Sequence, residues 1–271
     1  MAKKPHLDRY RVKPNAKVRL DEVPTHDDGG MEKQHARERM VELGQRLAHL
    51  QEVMYAQGKH SLLVVLQAMD AGGKDSTLRH VLEPINPQGC KVISFKAPNS
   101  TELGHDFLWR VHQNVPRLGY IGVFNRSHYE DVLIARVKNL VPAERWKRRY
   151  DHIRAFEQML VDEGTAIVKF FLHISKDYQK QRLQRRLGHP DKWWKFNPAD
   201  LVERALWDDY QHAYTVALQK TSTKQAPWYV IPAECRWYRD LLVTEGLVQT
   251  LEALDMEYPK ANFDPAQVVI E

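Results

Sequence analysis

Hydrophobic residues recur along the chain in two patterns, one typical of helices and the other of buried strands. From Met31 to about Gln57 the apolar residues are spaced by three and four, which predicts a helix ending at Gly58. Ser61–Gln67 is instead a short, mostly apolar run, as in a strand buried on both faces of a parallel sheet. By the same criteria we predict strands at 91–95, 119–124, 165–174 and 228–231, and helices at 101–114, 127–138, 144–163, 175–187, 198–220 and 237–254.

This alternation of strands and helices predicts an α/β fold in which helices cover both faces of a parallel sheet. Residues 1–30 are polar, end in Asp-Asp-Gly-Gly and show no clear periodicity, so we expect an N-terminal arm there. No shift in composition divides the remainder. We therefore expect residues 31–271 to form a single domain.

The segment that follows the first predicted strand resembles a phosphate-binding loop. Gly72, Gly73 and Lys74 stand between a buried strand and a helix, where glycines let backbone N–H groups surround phosphates and the lysine bridges them. Ala68 replaces the first glycine of the usual pattern. Asp75 replaces the hydroxyl residue, although Ser76 and Thr77 follow directly. The alternative is a tight β–α turn with an incidental lysine.

Asp70 lies inside this loop, where a carboxylate would repel a bound polyanion unless a cation separated them. We therefore expect Asp70 to help hold Mg²⁺, directly or through water. The alternative is that Asp70 only caps the following helix.

Polar residues also begin directly after the strand at 119–124, at the end where open α/β sheets bind their ligands. Arg126 is placed to reach a phosphate, because its guanidinium is planar and permanently charged. Glu130 and Asp131 are candidates for a carboxylate that orients magnesium, and we favour Asp131. Ser127 and Glu130 would also fit a capping box.

The predicted helix at 175–187 and the residues after it are strongly basic. Arg182, Arg185, Arg186 and His189 are spaced by three and four, so they could share one helix face. Between Lys180 and Lys195 the only acid is Asp191. Behind a phosphate loop, such a segment predicts a lid at about 175–197 whose arginines close over a phosphoryl group. A solvated or nucleic-acid-binding helix is the alternative.

Overall composition fits an anionic partner. The net charge is +5, and the sequence pI is about 9.0. Cys90 and Cys235 lack metal-ligand spacing and are expected to be reduced thiols of a cytoplasmic protein. The apolar runs are too short to span a bilayer, and the N-terminus lacks the apolar stretch of a secretory signal, so we expect no membrane partner.

Taken together, several long motifs in the same order resemble the polyphosphate kinase 2 family, in particular its shorter, single-domain members. The match covers nearly the whole chain after about residue 35. The motifs are Met69–Asp75, Phe107–Arg110, Phe124–Leu133, Lys169–Lys176 and Trp228–Ala233.

The resemblance implies a three-layer α/β/α sandwich of the P-loop, thymidylate-kinase-like type with a helical lid. It also implies dependence on Mg²⁺, with Mn²⁺ as an alternative ion, and a homo-oligomer, either a dimer or a tetramer. The implied reaction is reversible transfer of the terminal phosphoryl group of inorganic polyphosphate to ADP, AMP or both, with no specific nucleic acid as partner.

The resemblance also implies roles for individual residues, carried over by position. Asp70, Lys74, Arg126, Asp131, Arg182 and Arg186 are expected to be catalytic, with Asp70 and Asp131 also binding the metal. Phosphate or nucleotide binding is expected of Ala71, Gly72, Gly73, Asp75, Ser76, Asn125, Glu130, Arg110 and Arg185.

Two other functions remain open. An ATP-dependent nucleoside monophosphate kinase would share the fold and the loop. A non-catalytic, basic nucleic-acid-binding protein would share only the charge.

Overall fold

The computed structural model describes residues 7–270, and a six-stranded sheet lies at its centre in the order β1-β6-β5-β2-β4-β3. The strands are β1 Arg11–Val12, β2 Ser61–Ala68, β3 Cys90–Ser94, β4 Ile121–Asn125, β5 Thr165–His173 and β6 Trp228–Pro232. The helices are α1 Lys33–Gln57, α2 Lys74–Val81, α3 Ser100–Leu103, α4 Trp109–His112, α5 Ile134–Val137, α6 Ala143–Asp162, α7 Lys176–Leu187, α8 Ala199–Ala205, α9 Trp207–Thr221 and α10 Arg236–Glu252. All strand pairs are parallel except β1 with β6.

Helices α1, α2 and α10 pack together on one side of the sheet, and α5, α6 and α9 on the other. Each residue of β2 is buried, as its apolar run predicts for a strand covered on both faces. The predicted α/β sandwich with a mostly parallel sheet is confirmed. No helix among residues 7–270 is long and apolar enough to cross a membrane.

Three helices predicted as continuous are interrupted, and those predictions were wrong. The 101–114 segment contains two single-turn helices. The first, α3, ends at its C-cap Gly104, and Asp106 then accepts a hydrogen bond from the backbone of Leu108 just before α4. The 127–138 segment begins with a 3-10 turn, His128–Asp131, followed by the short α5. The 198–220 segment is divided at Leu206 into α8 and α9.

The N-terminal arm contains regular structure that its sequence did not reveal. Its first six residues lie outside the described part of the chain. Beyond them, Arg11 and Val12 pair antiparallel with Tyr229 and Trp228 of β6. Leu7, Tyr10 and Leu20 are buried in the hydrophobic core. The strand β1 has only two residues, too few for an alternating pattern to be visible, so only its pairing with β6 defines it.

Register brings the carboxyl ends of the central strands to one edge of the sheet. Leu66 of β2 lies opposite Asn125 of β4 and Phe170 of β5. The loop after β2 and the turn after β4 are therefore neighbours, as expected for a ligand site in an open α/β sheet.

Candidate active site

The loop between β2 and α2 has the compact shape expected of a phosphate-binding loop. The Gly72 N–H donates to the Met69 carbonyl at 3.0 Å, and Ala71 and Gly73 have φ values of 62° and 97°. A Cβ on Gly72 would lie 2.7 Å from the Cβ of Ala68. Glycine is therefore required at 72 for space, and it is favoured at 73 because few other residues adopt that backbone conformation.

Lys74 begins α2 and turns back across the loop. Its Nζ donates to the carbonyl of Ala68 at 3.0 Å. Burial lowers the pKa of Lys74, and the nearby Arg126 lowers it further, against the opposing effect of Asp70 and Glu130. A phosphate at this position would offset that repulsion between cations.

Arg126, directly after β4, adopts a left-handed backbone with φ of 61°. Its N–H donates to Leu66 at 3.1 Å, which fixes the turn against the end of β2. The guanidinium Nη2 lies 3.1 Å from Oδ1 of Asp70. Since the N-cap of α2 is Gly73 and no side chain among residues 7–270 caps this helix, the alternative in which Asp70 is only a cap is contradicted.

A hydrogen bond links Asn125 and Asp75, two residues predicted to bind phosphate or nucleotide, at this edge of the sheet. Asn125, the last residue of β4, donates from Nδ2 to Oδ1 of Asp75 at 2.8 Å. Asp75 therefore occupies the position of the usual hydroxyl while its carboxylate binds a neighbouring amide.

Glu130, rather than the favoured Asp131, lies with the loop. Burial raises the pKa of Glu130, and Arg126, Lys74 and a hydrogen bond from Gln67 act against that rise. The capping box expected at this turn is absent, because the Ser127 hydroxyl accepts instead from Tyr129 N and from Gln67 Nε2.

Asp131 and Arg110 form a separate cluster, so the structure does not bring them to the loop. Asp131 Oδ1 accepts from Arg149 at 2.9 Å, and Arg110 donates to the Lys96 carbonyl at 2.8 Å while lying 4.0 Å from Asp131. A 3-10 turn at this site points neighbouring side chains in different directions. The predicted metal pair of Asp70 and Asp131 is therefore not supported by the geometry.

The lid cations face the loop across what we call the cationic groove, a cavity of about 480 Å³. Arg182 and Arg186 line it from α7, and Lys192 and Lys195 from the 3-10 turn that follows. Arg186 pairs with Asp200 at 3.4 Å. The remaining lining residues are Asp70–Ser76, Ser94, Phe95, Lys96, Asn125, Arg126 and Asp200. Arg185 is exposed and does not line the groove, contrary to the shared-face prediction.

Gln179, which the sequence did not single out, ties the lid to the loop. Its Nε2 donates to the backbone carbonyl of Asp70 at 3.0 Å, and its Oε1 accepts from Arg204 of α8 at 3.0 Å. Asp200 was likewise not predicted. The sequence around a glutamine or aspartate in a polar helix does not indicate that its side chain will contact the loop or line the groove.

No group of three or more metal-ligating side chains occurs among the described residues. The donors near the loop suit a different arrangement. Mg²⁺ commonly uses one or two carboxylates and completes its shell with water and phosphate oxygens. Asp70 and Glu130 fit that requirement, since both line one cavity beside the loop, together with Arg126.

The chain contains, in this order, a phosphate-binding loop, Arg126 directly after β4 and a basic lid, and the same order occurs in a known family. The family model of polyphosphate kinase 2 matches residues 30–259. The chain belongs to the polyphosphate kinase 2 family.

Individual members of this family match the chain over nearly its whole length. The AMP/ADP-polyphosphate phosphotransferase of Meiothermus ruber is 56% identical over 98% of this chain and 100% of its own. The ADP-polyphosphate phosphotransferase of Rhodopseudomonas palustris is 47% identical, covering 94% and 92%. The crystal structure of polyphosphate kinase 2 from Arthrobacter aurescens TC1 matches with a TM-score of 0.93 at 45% identity, covering 98% of this chain and 95% of that one. The resemblance and the assignment as a phosphotransferase are confirmed.

Proposed function

We propose that this protein transfers the terminal phosphoryl group of inorganic polyphosphate to AMP and ADP, reversibly. The observation that carries the proposal is the cationic groove, in which lid cations face a phosphate loop. Polyphosphate has no base to recognise, so a site for it reads charge and spacing. The relatives from Meiothermus ruber, an AMP/ADP-polyphosphate phosphotransferase, and Rhodopseudomonas palustris, an ADP-polyphosphate phosphotransferase, support AMP and ADP as acceptors.

Positioning and charge neutralisation suffice for this reaction. The attacking oxygen of AMP or ADP belongs to a phosphate that is ionised at neutral pH, so no strong general base is required. Lys74 and Arg126 hold phosphates and offset the charge of the transition state. Arg182 and Arg186 close the groove and exclude water, which would otherwise compete as the nucleophile.

Asp70, with Glu130 beside it, is proposed to hold Mg²⁺ or Mn²⁺. The ion would neutralise phosphate charge and so remove the repulsion between the polyanion and these carboxylates. Asp70→Asn should lose most activity and require a higher Mg²⁺ concentration for the remainder. Direct Mn²⁺ titration by electron paramagnetic resonance would check this, and unchanged Mn²⁺ affinity would contradict it.

The decisive assay supplies purified protein with ADP, Mg²⁺ and either polyphosphate or no donor. ATP formed only with polyphosphate supports the proposal, whereas phosphorylation of AMP with ATP as the sole effective donor favours the monophosphate kinase. Running AMP, ADP, GMP and GDP in parallel determines the acceptor. Tight RNA or DNA binding that Lys74→Ala leaves unchanged would favour the non-catalytic alternative.

Salt dependence tests the groove as the polyphosphate site. Binding of a polyanion weakens as salt rises, in proportion to the number of charges neutralised. We expect KM for polyphosphate to rise steeply with salt, and the slope to fall in Arg182→Ala/Arg186→Ala. Arg185→Ala removes one charge from the same helix outside the groove and should have a smaller effect. A KM insensitive to ionic strength would refute this assignment.

Two further properties are proposed from the family resemblance. We expect a homo-oligomer, dimer or tetramer, which light scattering on the purified protein would measure. We expect a cytoplasmic location, for which Cys90 and Cys235 as free thiols are consistent. Fractionation of cells expressing the protein would check that location.

A further inference from the structure

A buried arginine from α10 lies directly beneath the phosphate loop. Arg239 is only 1% exposed, and its Nη2 lies 3.2 Å from Oγ of Ser76 in the first turn of α2. A Cβ on Gly73 would collide with Nη1 of the same guanidinium. The absence of a side chain at Gly73 thus gives Arg239 its place against the loop, in addition to permitting the positive φ.

Arg239 is held in position by its neighbour in sequence. Asp240 Oδ1 accepts from Arg239 Nε at 2.8 Å and lies 2.7 Å from Nη2. The other oxygen of Asp240 lies 2.8 Å from Nδ1 of His80, in the last turn of α2. The pair therefore contacts α2 near both of its ends, at Ser76 and at His80.

The hydroxyl of Ser76 passes this contact on to the backbone of the loop. Because Arg239 is a donor only, the hydroxyl accepts from it and uses its own proton elsewhere. That proton goes to the carbonyl of Gly73 at 2.8 Å, which also accepts from Thr77 N at 2.9 Å. The Thr77 hydroxyl also donates to this carbonyl, at 3.2 Å. The Gly73 carbonyl is thus held by three donors, and Arg239 orients one of them, the Ser76 hydroxyl.

Fixing that carbonyl also fixes the N–H of Lys74. The two groups belong to one planar trans peptide and point in opposite directions. With the carbonyl held along α2, the N–H points away from the helix start, where helix N-termini bind phosphate. Neither Arg239 nor Ser76 needs to touch a phosphate for this effect.

We propose that Arg239 is a positioning residue, which acts through Ser76 to orient the Gly73–Lys74 peptide for binding phosphate. The proposal rests on the proposed function only in assigning this loop to phosphate. It adds a residue about 165 positions away in sequence, which no pattern around the loop contains. The alternative is a purely structural ion pair, which stabilises the packing of α10 on α2 without affecting phosphate binding by the loop.

Binding of inorganic tripolyphosphate, measured by calorimetry, tests the proposal independently of any kinase activity. Arg239→Met combined with Asp240→Asn avoids an unpaired buried carboxylate and should weaken binding about tenfold, the effect of losing roughly one hydrogen bond. Arg239→Lys keeps the charge without the forked geometry and should weaken it by a smaller factor. The amide resonance of Lys74 in selectively labelled protein should shift on adding tripolyphosphate to the wild type, and shift less in the double variant.

Two comparisons separate positioning from stability. In a Ser76→Ala background the same Arg239 and Asp240 changes should weaken binding less than about threefold, because their effect passes through the hydroxyl. Leu242→Ala, in the buried face of α10, should lower the melting temperature and leave tripolyphosphate binding unchanged. Equal loss of binding with and without Ser76, or an equal loss in Leu242→Ala, would overturn the proposal. Wild-type protein that binds tripolyphosphate without polyphosphate-dependent kinase activity would refute the proposed function alone.

Discussion

The buried ion pair between Lys169 and Glu157 offers a quantitative test of how this fold carries charge. Lys169 on β5 and Glu157 on α6 are 0% and 2% exposed, with Nζ and Oε2 2.5 Å apart. Lys169 also donates to Tyr129 Oη at 3.0 Å and to the Thr221 carbonyl at 2.8 Å. Neither charge has access to water, so each depends on its partner.

Glu157→Gln would leave the Lys169 ammonium buried without a counter-charge. Breaking a buried pair in this way costs about 3–5 kcal/mol. The whole domain has a free energy of unfolding of about 5–15 kcal/mol, so this is a large share of it. Lys169→Met/Glu157→Met removes both charges and should cost less, about 1–3 kcal/mol. Some cost remains because Glu157 Oε1 also accepts from Tyr129 Oη at 2.8 Å and from His128 Nε2 at 3.2 Å, and both lose that acceptor.

Urea unfolding of these variants measures the free energies directly. The matched control is Arg46→Met, which breaks the pair of Arg46 with Glu252 between α1 and α10. That pair has a similar distance of 2.8 Å but is 47% and 45% exposed, and its loss should cost about 0–1 kcal/mol. If Glu157→Gln cost no more than the control, or less than the double substitution, the reasoning from burial would be refuted.

The same pair gives a prediction about pH. Burial acts to raise the pKa of Glu157, but the charges of Lys169 and His128 outweigh it and lower the pKa below its usual value. A carboxyl with a lowered folded pKa stabilises the protein above its unfolded pKa and loses that contribution as pH falls through the folded one. The deficit of Glu157→Gln should therefore be full at neutral pH and shrink only in acid.

Three further results are expected. Burial lowers the pKa of Lys74, so kcat/KM should begin to fall with rising pH at a pH below the usual pKa of a lysine. In Lys74→Arg this fall should move to higher pH, and kcat should decrease. Glu130→Gln should lower activity but raise the melting temperature at neutral pH, because burial raises the pKa of Glu130 and makes its charged form costly. The gain should shrink as pH falls through the raised folded pKa and be absent below the unfolded pKa. Gly246→Ala should cost about 1–3 kcal/mol in urea unfolding, since its Cβ would lie 2.7 Å from Cζ of Phe170, whereas Gly188→Ala, with no atom nearer than 3.5 Å, should cost little. A loss of kcat/KM only near the usual lysine pKa would contradict the first expectation. A lower melting temperature in Glu130→Gln would contradict the second, and equal costs for the two glycine substitutions would contradict the third.

Much of the site could be predicted because its parts are local in sequence. The loop follows β2 directly and Arg126 follows β4 directly, so a correct strand assignment places both at the same edge of the sheet. The lid cations Arg182 and Arg186 lie one helical turn apart, and their spacing alone puts them on one face.

The structure differs from the expected site where neighbouring residues point in different directions. Asp131 is favoured over Glu130 on sequence, but both lie in a 3-10 turn, His128–Asp131, in which the Asp131 carboxylate contacts Arg149. Arg185 fits the same spacing rule as Arg186 but lies outside the groove. A spacing of three or four places residues on roughly the same side of a helix, but it does not determine which of them reach a particular cavity.

Other contributions are tertiary and have no local pattern. Arg239 belongs to α10, and the packing of α10 on α2 brings it to Ser76. Gln179 belongs to the lid helix and binds the loop backbone. Both are long polar residues in helices, where sequence suggests solvent exposure.

The two-residue strand β1 also bears on how the protein behaves at high concentration. β6 is buried and apolar, and without a neighbour its backbone N–H and carbonyl groups would form a template for another copy of the chain. Arg11 and Val12 occupy that side, and a strand so short presents almost no free backbone for further pairing. At the opposite edge β3 is five residues long and carries Lys91, a charge that discourages edge-to-edge pairing. We therefore expect β1 to reduce aggregation by covering the edge of β6. Truncations that remove it should be tested for solubility as well as for activity.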